Sequence, residues 1–324
     1  MILNINDIKN ITFGALEIND DGGIFTFNRM TNEQKDFYVG EHENHRARCD
    51  NSASVFFDFY TDSQSLSFSY KMYNSPCLAP AYACIDVWEG DSMIFHVGEL
   101  TDKGLSGKAD IKLSRGVKRV RVYLPNMYNI ELSDVELSDG ALVKRAEKSR
   151  VALLLGDSIT QGYYSEFPSL SYANIVCREL ELDAINQGIG GIVFRADSLG
   201  TKPICDPEFI TVALGINEWV GNDIDKDNCR NYFEKLISLY PNAKIYYISP
   251  IYADAKIRQF GIDGFWKMIN DYEGVAEALG ITVIRGVDLM HRCPEFFTDG
   301  LHPNSIGFIQ YGTSLIKRLD ILQK

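Results

Sequence analysis

Val151-Ala152-Leu153-Leu154-Leu155-Gly156-Asp157-Ser158-Ile159-Thr160 reads as a buried strand running straight into a tight polar turn. Five apolar residues in succession, closed by a glycine, are the pattern of a parallel strand covered on both faces. Comparable runs recur at Phe209 to Leu214, Lys244 to Ile248 and Ile281 to Ile284. Between them, Asn228 to Tyr240 and Phe265 to Leu279 carry helical spacing, and Pro241 and Gly280 stand where helices stop. Strands alternating with helices predict a mostly parallel sheet with helices on its faces.

Upstream the texture changes. Val55, Phe57 and Phe59, then Leu66, Phe68 and Tyr70, alternate with polar residues, and turns such as Thr61-Asp62-Ser63-Gln64-Ser65 separate the runs. Further short runs lie at Ile85 to Trp88, Met93 to Val97, Val120 to Leu124 and Ile130 to Leu137. Period two with little helix between predicts an all-β sandwich of jelly-roll type. The charged stretch Lys144 to Arg150 marks the change. Residues 1–145 are therefore expected to form a β-sandwich accessory domain, and residues 146–324 an α/β domain.

The bulk properties narrow the chemistry. A chain of 324 residues suits two cores. With 32 Lys and Arg against 44 Asp and Glu, the net charge of -12 repels phosphate backbones. Nucleic acid is excluded as a partner and a neutral small molecule is favoured. The seven cysteines, Cys49, Cys77, Cys84, Cys177, Cys205, Cys229 and Cys293, lack paired spacing and are odd in number, so they read as buried thiols in a reducing compartment. The N-terminal residues show no signal-peptide pattern and no stretch reaches the length of a membrane span, so the expectation is a cytoplasmic protein without a membrane partner. The oligomeric state is left open, a dimer being one option.

Sites in open α/β sheets lie at the carboxyl ends of the strands. There, Ser158 follows the first strand at a strand-to-helix turn, where its hydroxyl projects from the sheet edge and neighbouring N–H groups face an anion formed beside it. The plainer reading is a helix-capping serine. Near the C-terminus, Thr298-Asp299-Gly300-Leu301-His302-Pro303-Asn304 places a carboxylate three residues before an imidazole. Across a glycine turn the two can meet through Nδ1–H, leaving Nε2 to take a serine proton; standing alone, the same stretch is equally a surface turn. Two further loops offer donors for an oxyanion: Asn186-Gln187-Gly188-Ile189-Gly190-Gly191, through a backbone N–H, and Gly215-Ile216-Asn217-Glu218, through the Asn217 amide.

The four blocks in this order, GDSITQG, NQGIGG, GIN and DGLHPN, resemble the SGNH hydrolase superfamily over roughly residues 150 to 320. That resemblance implies a flavodoxin-like α/β/α domain. It implies Ser158 as nucleophile and oxyanion donor, Gly191 (with Gly190 the alternative) and Asn217 as further oxyanion donors, and Asp299 and His302 as the rest of a triad. The family's third block usually ends in aspartate, whereas Glu218 stands here, and Glu218-Trp219 is expected to reach the mouth of the site. Asp157, Glu218 and Trp219 are accordingly the expected substrate-side residues. A sandwich ahead of such a domain resembles carbohydrate esterase family 2, which implies a small acetylated sugar or oligosaccharide as substrate and acetyl-ester hydrolysis through an acyl-enzyme. No cofactor is implied. His42, His45, His96 and His291 lack ligand-like neighbours in sequence, so no metal is expected. Among the aromatics, Tyr163, Trp219 and Trp266 are placed to border the site. Alternative readings are a lipid or thioester hydrolase of the same fold, an O-acetyltransferase, and a non-catalytic carbohydrate-binding protein.

Overall fold

The computed structural model describes residues 1–74 and 80–319, so Cys77 lies outside the described residues. The first part of the chain carries helices α1 (Ile5–Ile11), α2 (Asn32–Glu41) and α3 (His45–Asp50) and strands β1 (Thr12–Phe13), β2 (Glu17–Asp21), β3 (Ile24–Asn28), β4 (Phe56–Thr61), β5 (Ser65–Tyr73), β6 (Ala81–Glu89), β7 (Ser92–Thr101), β8 (Leu105–Lys112), β9 (Lys118–Tyr123), β10 (Asn129–Leu137) and β11 (Lys144–Arg145). They form two antiparallel sheets, one ordered β1-β4-β9-β6-β7 with β11 beside β4, the other β2-β3-β10-β5-β8. Alternating side chains from both sheets, Phe57, Phe59, Ile85 and Val87 from one and Leu66, Phe68, Tyr70 and Leu132 from the other, meet in one apolar core.

The second part carries β12 (Arg150–Gly156), α4 (Ser158–Gln161), α5 (Tyr172–Glu179), β13 (Leu182–Gly188), β14 (Phe209–Ala213), α6 (Ile216–Val220), α7 (Lys226–Leu239), β15 (Lys244–Ile248), α8 (Asp254–Phe260), α9 (Ile262–Ala278), β16 (Thr282–Ile284) and α10 (Ser305–Arg318). Its five strands are parallel, in the order β13-β12-β14-β15-β16. Leu153 and Leu155 face a core shared with α7 and α9, while Ala152 and Leu154 face α5 and α10. This doubly wound sheet has its switch point between β12 and β14, where a ligand crevice forms outside the carboxyl ends of the strands.

Two expectations need correction. The first part is not all-β, because it holds three helices. Moreover, Met30, Tyr38 and Cys49, on and beside α2 and α3, join the core of the parallel sheet. The physical tie is Arg29, fully buried, which donates to Asn186 O at 2.7 Å, to Arg48 O at 2.6 Å and to Asn51 O at 3.0 Å. Second, Asn186-Gln187-Gly188 is the end of β13 and not a loop. Its polar side chains are satisfied in the interior, Gln187 by a reciprocal pair with Gln34 and Asn186 by Ser54 Oγ and Thr160 O. The charged stretch at Lys144 to Arg150, which marks the change of texture, is tied to both parts of the chain. Lys148 is buried and pairs with Asp58 and Glu181, which Arg119 also bridges.

Of the six described cysteines, Cys49, Cys84, Cys177 and Cys229 are buried, while Cys205 and Cys293 are partly exposed. Among the described residues, no helix is long and apolar enough to cross a membrane, and no group of three or more His, Cys, Asp or Glu side chains is placed to hold a metal ion.

Candidate active site

Asp157, and not Ser158, caps α4: its carboxylate accepts the Ile159 N–H at 2.9 Å. Ser158 becomes the first helical residue, and its Oγ lies 2.8 Å from His302 Nε2. His302 Nδ1 lies 2.8 Å from Asp299 Oδ2. A carboxylate can only accept, so Nδ1 carries the proton and Nε2 is left to receive the Ser158 hydroxyl. The turn that joins the pair is locked from within, because Asp299 Oδ1 accepts the N–H of Leu301 at 3.0 Å and of His302 at 2.8 Å. Gly300 supplies the left-handed conformation it needs, at φ 77°. Burial alone would raise the Asp299 carboxyl, but the His302 side chain and these N–H groups bring it down to about 2.

The second and third blocks close around the same point. Gly190 is buried and its N–H is already taken by Gln161 Oε1 at 2.7 Å, whereas Gly191 is exposed at φ 83°. Among the described residues, nothing accepts the N–H of Gly191 or of Ser158. Asn217, at the carboxyl end of β14, donates one Nδ2 hydrogen to Ile192 O at 2.9 Å and keeps the other. Thus the structure joins Ser158, His302 and Asp299 in one hydrogen-bonded line, sets Gly190 against Ser158, where an added Cβ would lie 3.5 Å from Ser158 Cβ, and ties Asn217 to Ile192, the residue after Gly191. Such an arrangement is chemically able to move a proton from serine to imidazole while donors face the charge that develops on a neighbouring carbonyl oxygen.

The expected substrate-side residues are placed differently. Asp157 is buried under the turn it caps, and burial pushes its carboxyl up to about 6. Glu218 turns inward, where its Oε1 accepts the Phe194 N–H at 2.6 Å. Trp219 is buried and packs edge-on against Phe265 and the exposed Phe260, and Trp266 meets Tyr252 edge-on under the Arg285 guanidinium. In the single-turn helix after β14, Asn217 is half-buried while Glu218 and Trp219 are buried. Tyr163 is at the site, its ring centroid 4.7 Å from that of His302. Two residues escape sequence reasoning: Tyr164, whose ring lies 5.7 Å from His302, and Arg48, which donates to Gly190 O. Neither stands in a block with a chemical signature.

Residues 154–308 match the model of the GDSL-like lipase/acylhydrolase family. They form a GDSL-like acylhydrolase domain. No curated protein sequence matches the chain. Among solved structures, a GDSL-like lipase from Bacteroides ovatus is similar at TM-score 0.75 and 16% identity, over 98% of this chain and 96% of that one. A salicylyl-acyltransferase from a tetracycline biosynthetic pathway is similar at TM-score 0.72 and 19% identity, over 96% and 94%. A family two carbohydrate esterase from Clostridium thermocellum, solved with cellohexaose, is similar at TM-score 0.62 and 14% identity, over 84% and 94%. The GDSL-like domain and its antiparallel companion therefore share the two-part architecture of these proteins.

Proposed function

We propose that the protein is a serine esterase that removes acetyl groups from O-acetylated carbohydrates through an acyl-enzyme. The observation that carries this reading is the continuous line Asp299, His302, Ser158, at 2.8 Å per link, ending at a serine whose own N–H has no acceptor among the described residues. In this reading Ser158 Oγ attacks the acetyl carbonyl as its proton passes to His302 Nε2. The N–H groups of Ser158 and Gly191 and the free Asn217 Nδ2 hydrogen hold the oxyanion. The tetrahedral intermediate collapses, the sugar oxygen leaves with the proton from His302, and water repeats the sequence on the acetyl-serine.

Tyr163 and Tyr164 beside His302 offer apolar faces of the kind that sugar rings present C–H groups to, and the family two esterase neighbour supports a carbohydrate. We read the antiparallel half as the jelly-roll of such esterases. The acyltransferase neighbour favours a second reading, in which an acceptor hydroxyl replaces water in the second half-reaction.

Acetate release from acetylated xylan, acetylated mannan and small acetylated sugars, measured beside Ser158→Ala, tests reaction and substrate together. The proposal expects release that depends on Ser158. Turnover by Ser158→Ala at the wild-type rate would refute it. Acetyl transfer to an added sugar in preference to water would select the second reading.

A further inference from the structure

Arg48 brings a cation to the crevice from outside the GDSL-like domain. It lies on α3, and its backbone carbonyl is fixed by the buried Arg29, which also holds the end of β13. One Nη1–H donates to Gly190 O. A Cβ built on Gly190 would lie 3.5 Å from Ser158 Cβ and 3.9 Å from Arg48 Cδ, so both side chains border the same glycine. The guanidinium also overhangs Gly191, where a Cβ would meet Arg48 Nη1 at 3.0 Å.

What the guanidinium lacks is a counter-ion. Among the described residues, no carboxylate is within ion-pair distance of Arg48. The acids nearest in sequence are engaged elsewhere, Asp50 with Lys35 at 2.7 Å, Glu43 with Arg46 at 3.1 Å and Glu41 with Arg195 at 3.5 Å. Arg195, which holds Glu41, also pairs with Asp223 at 3.7 Å. A half-buried guanidinium with one carbonyl partner retains several donors in a fixed planar fork, the geometry that matches a carboxylate. A single positive charge balances a singly charged carboxylate, whereas a dianionic phosphate would be left with excess charge in a chain of net charge -12.

We propose that Arg48 forms a carboxylate-binding subsite beside Ser158, so that the preferred ester is carried on an acidic sugar such as a uronic acid. This inference rests on the esterase reading above. It makes the first part of the chain a source of specificity for the second.

The test uses two mono-acetylated methyl glycosides, identical except that C6 is a carboxylate in one and a hydroxymethyl in the other. Wild-type kcat/KM is expected to favour the acidic substrate by about tenfold or more, the scale of one charge-assisted contact. In Arg48→Met the preference should collapse to about one, and in Arg48→Lys part of it should survive. Loss of the Gly190 contact would slow both substrates alike, so the ratio isolates the recognition of charge. A wild-type ratio of one, or a ratio unchanged in Arg48→Met, would overturn the subsite while leaving the esterase reading intact. Failure of the wild type to release acetate from either glycoside and from nitrophenyl acetate would instead overturn the esterase reading and the subsite with it.

Discussion

Glu218 Oε1 accepts the Phe194 N–H at 2.6 Å, while its neighbour Asn217 donates to Ile192 O at 2.9 Å. The turn after β14 thus grips the segment after Gly191 at two points. The carboxyl is buried, its Oε2 has no partner among the described residues, and burial pushes it up to about 7.

A raised carboxyl makes stability fall with pH. The unfolded chain gives up its Glu218 proton near 4.5 and the folded chain near 7, so this stabilisation is complete below about 4.5 and is lost as pH rises through about 7. Glu218→Gln removes the titration yet keeps an oxygen for Phe194 N–H. Relative to wild type it should gain on the order of 2 kcal/mol between pH 5 and pH 8. Melting curves at the two pH values check this, and parallel shifts in both proteins would contradict it.

Asn217→Ala should lower kcat/KM for nitrophenyl acetate by about 10²- to 10³-fold, the usual loss for one oxyanion donor. Thermal unfolding should change little, since Asn217 is only half-buried. Steady-state kinetics beside a melt distinguish this from simple destabilisation.

Asp299→Asn should reduce kcat by about 10²- to 10⁴-fold, because an amide can donate to Nδ1 and so favour the wrong tautomer of His302. The depressed Asp299 carboxyl also contributes stability that is present above its ordinary 3.8 and lost as pH falls through about 2. Acid unfolding of the variant should therefore be less steep between about pH 4 and pH 2, as followed by circular dichroism.

Arg29→Met should cost about 3 kcal/mol or more in urea unfolding, since it strips donors from the buried carbonyls of Asn51, Asn186 and Arg48. A loss under about 1 kcal/mol would mean that the tie between α3 and β13 is supplied elsewhere.

Legibility followed the physics of each segment. Ala152 to Leu155 are buried on both faces of the sheet, with only Val151 of the apolar run exposed, so the composition alone discloses a parallel strand. Asp299 and His302 meet within one turn, so their spacing allows the pair, and the other three blocks in order set it apart from a surface turn. Helix α2 has no apolar stripe, because it buries Gln34 as well as Tyr38, and only the capping box of Thr31 with Gln34 signals it. The partners of Lys148, Asp58 and Glu181, are distant in sequence, so nothing in its own stretch discloses the pairing. The same separation hides Arg48 from any motif centred on Ser158. Glu218 differs again: its neighbour in sequence is at the site, and one step along a helix turns it into the core.

The central claim is that Ser158 carries the acyl group. Mixing the protein with nitrophenyl acetate, quenching in acid within the first turnover and mapping the peptides by mass measures this directly. The account predicts a burst of nitrophenol and one acetyl group on the peptide containing Ser158, with neither in Ser158→Ala. A burst that persists in Ser158→Ala, or an acetyl group on another residue, would contradict it.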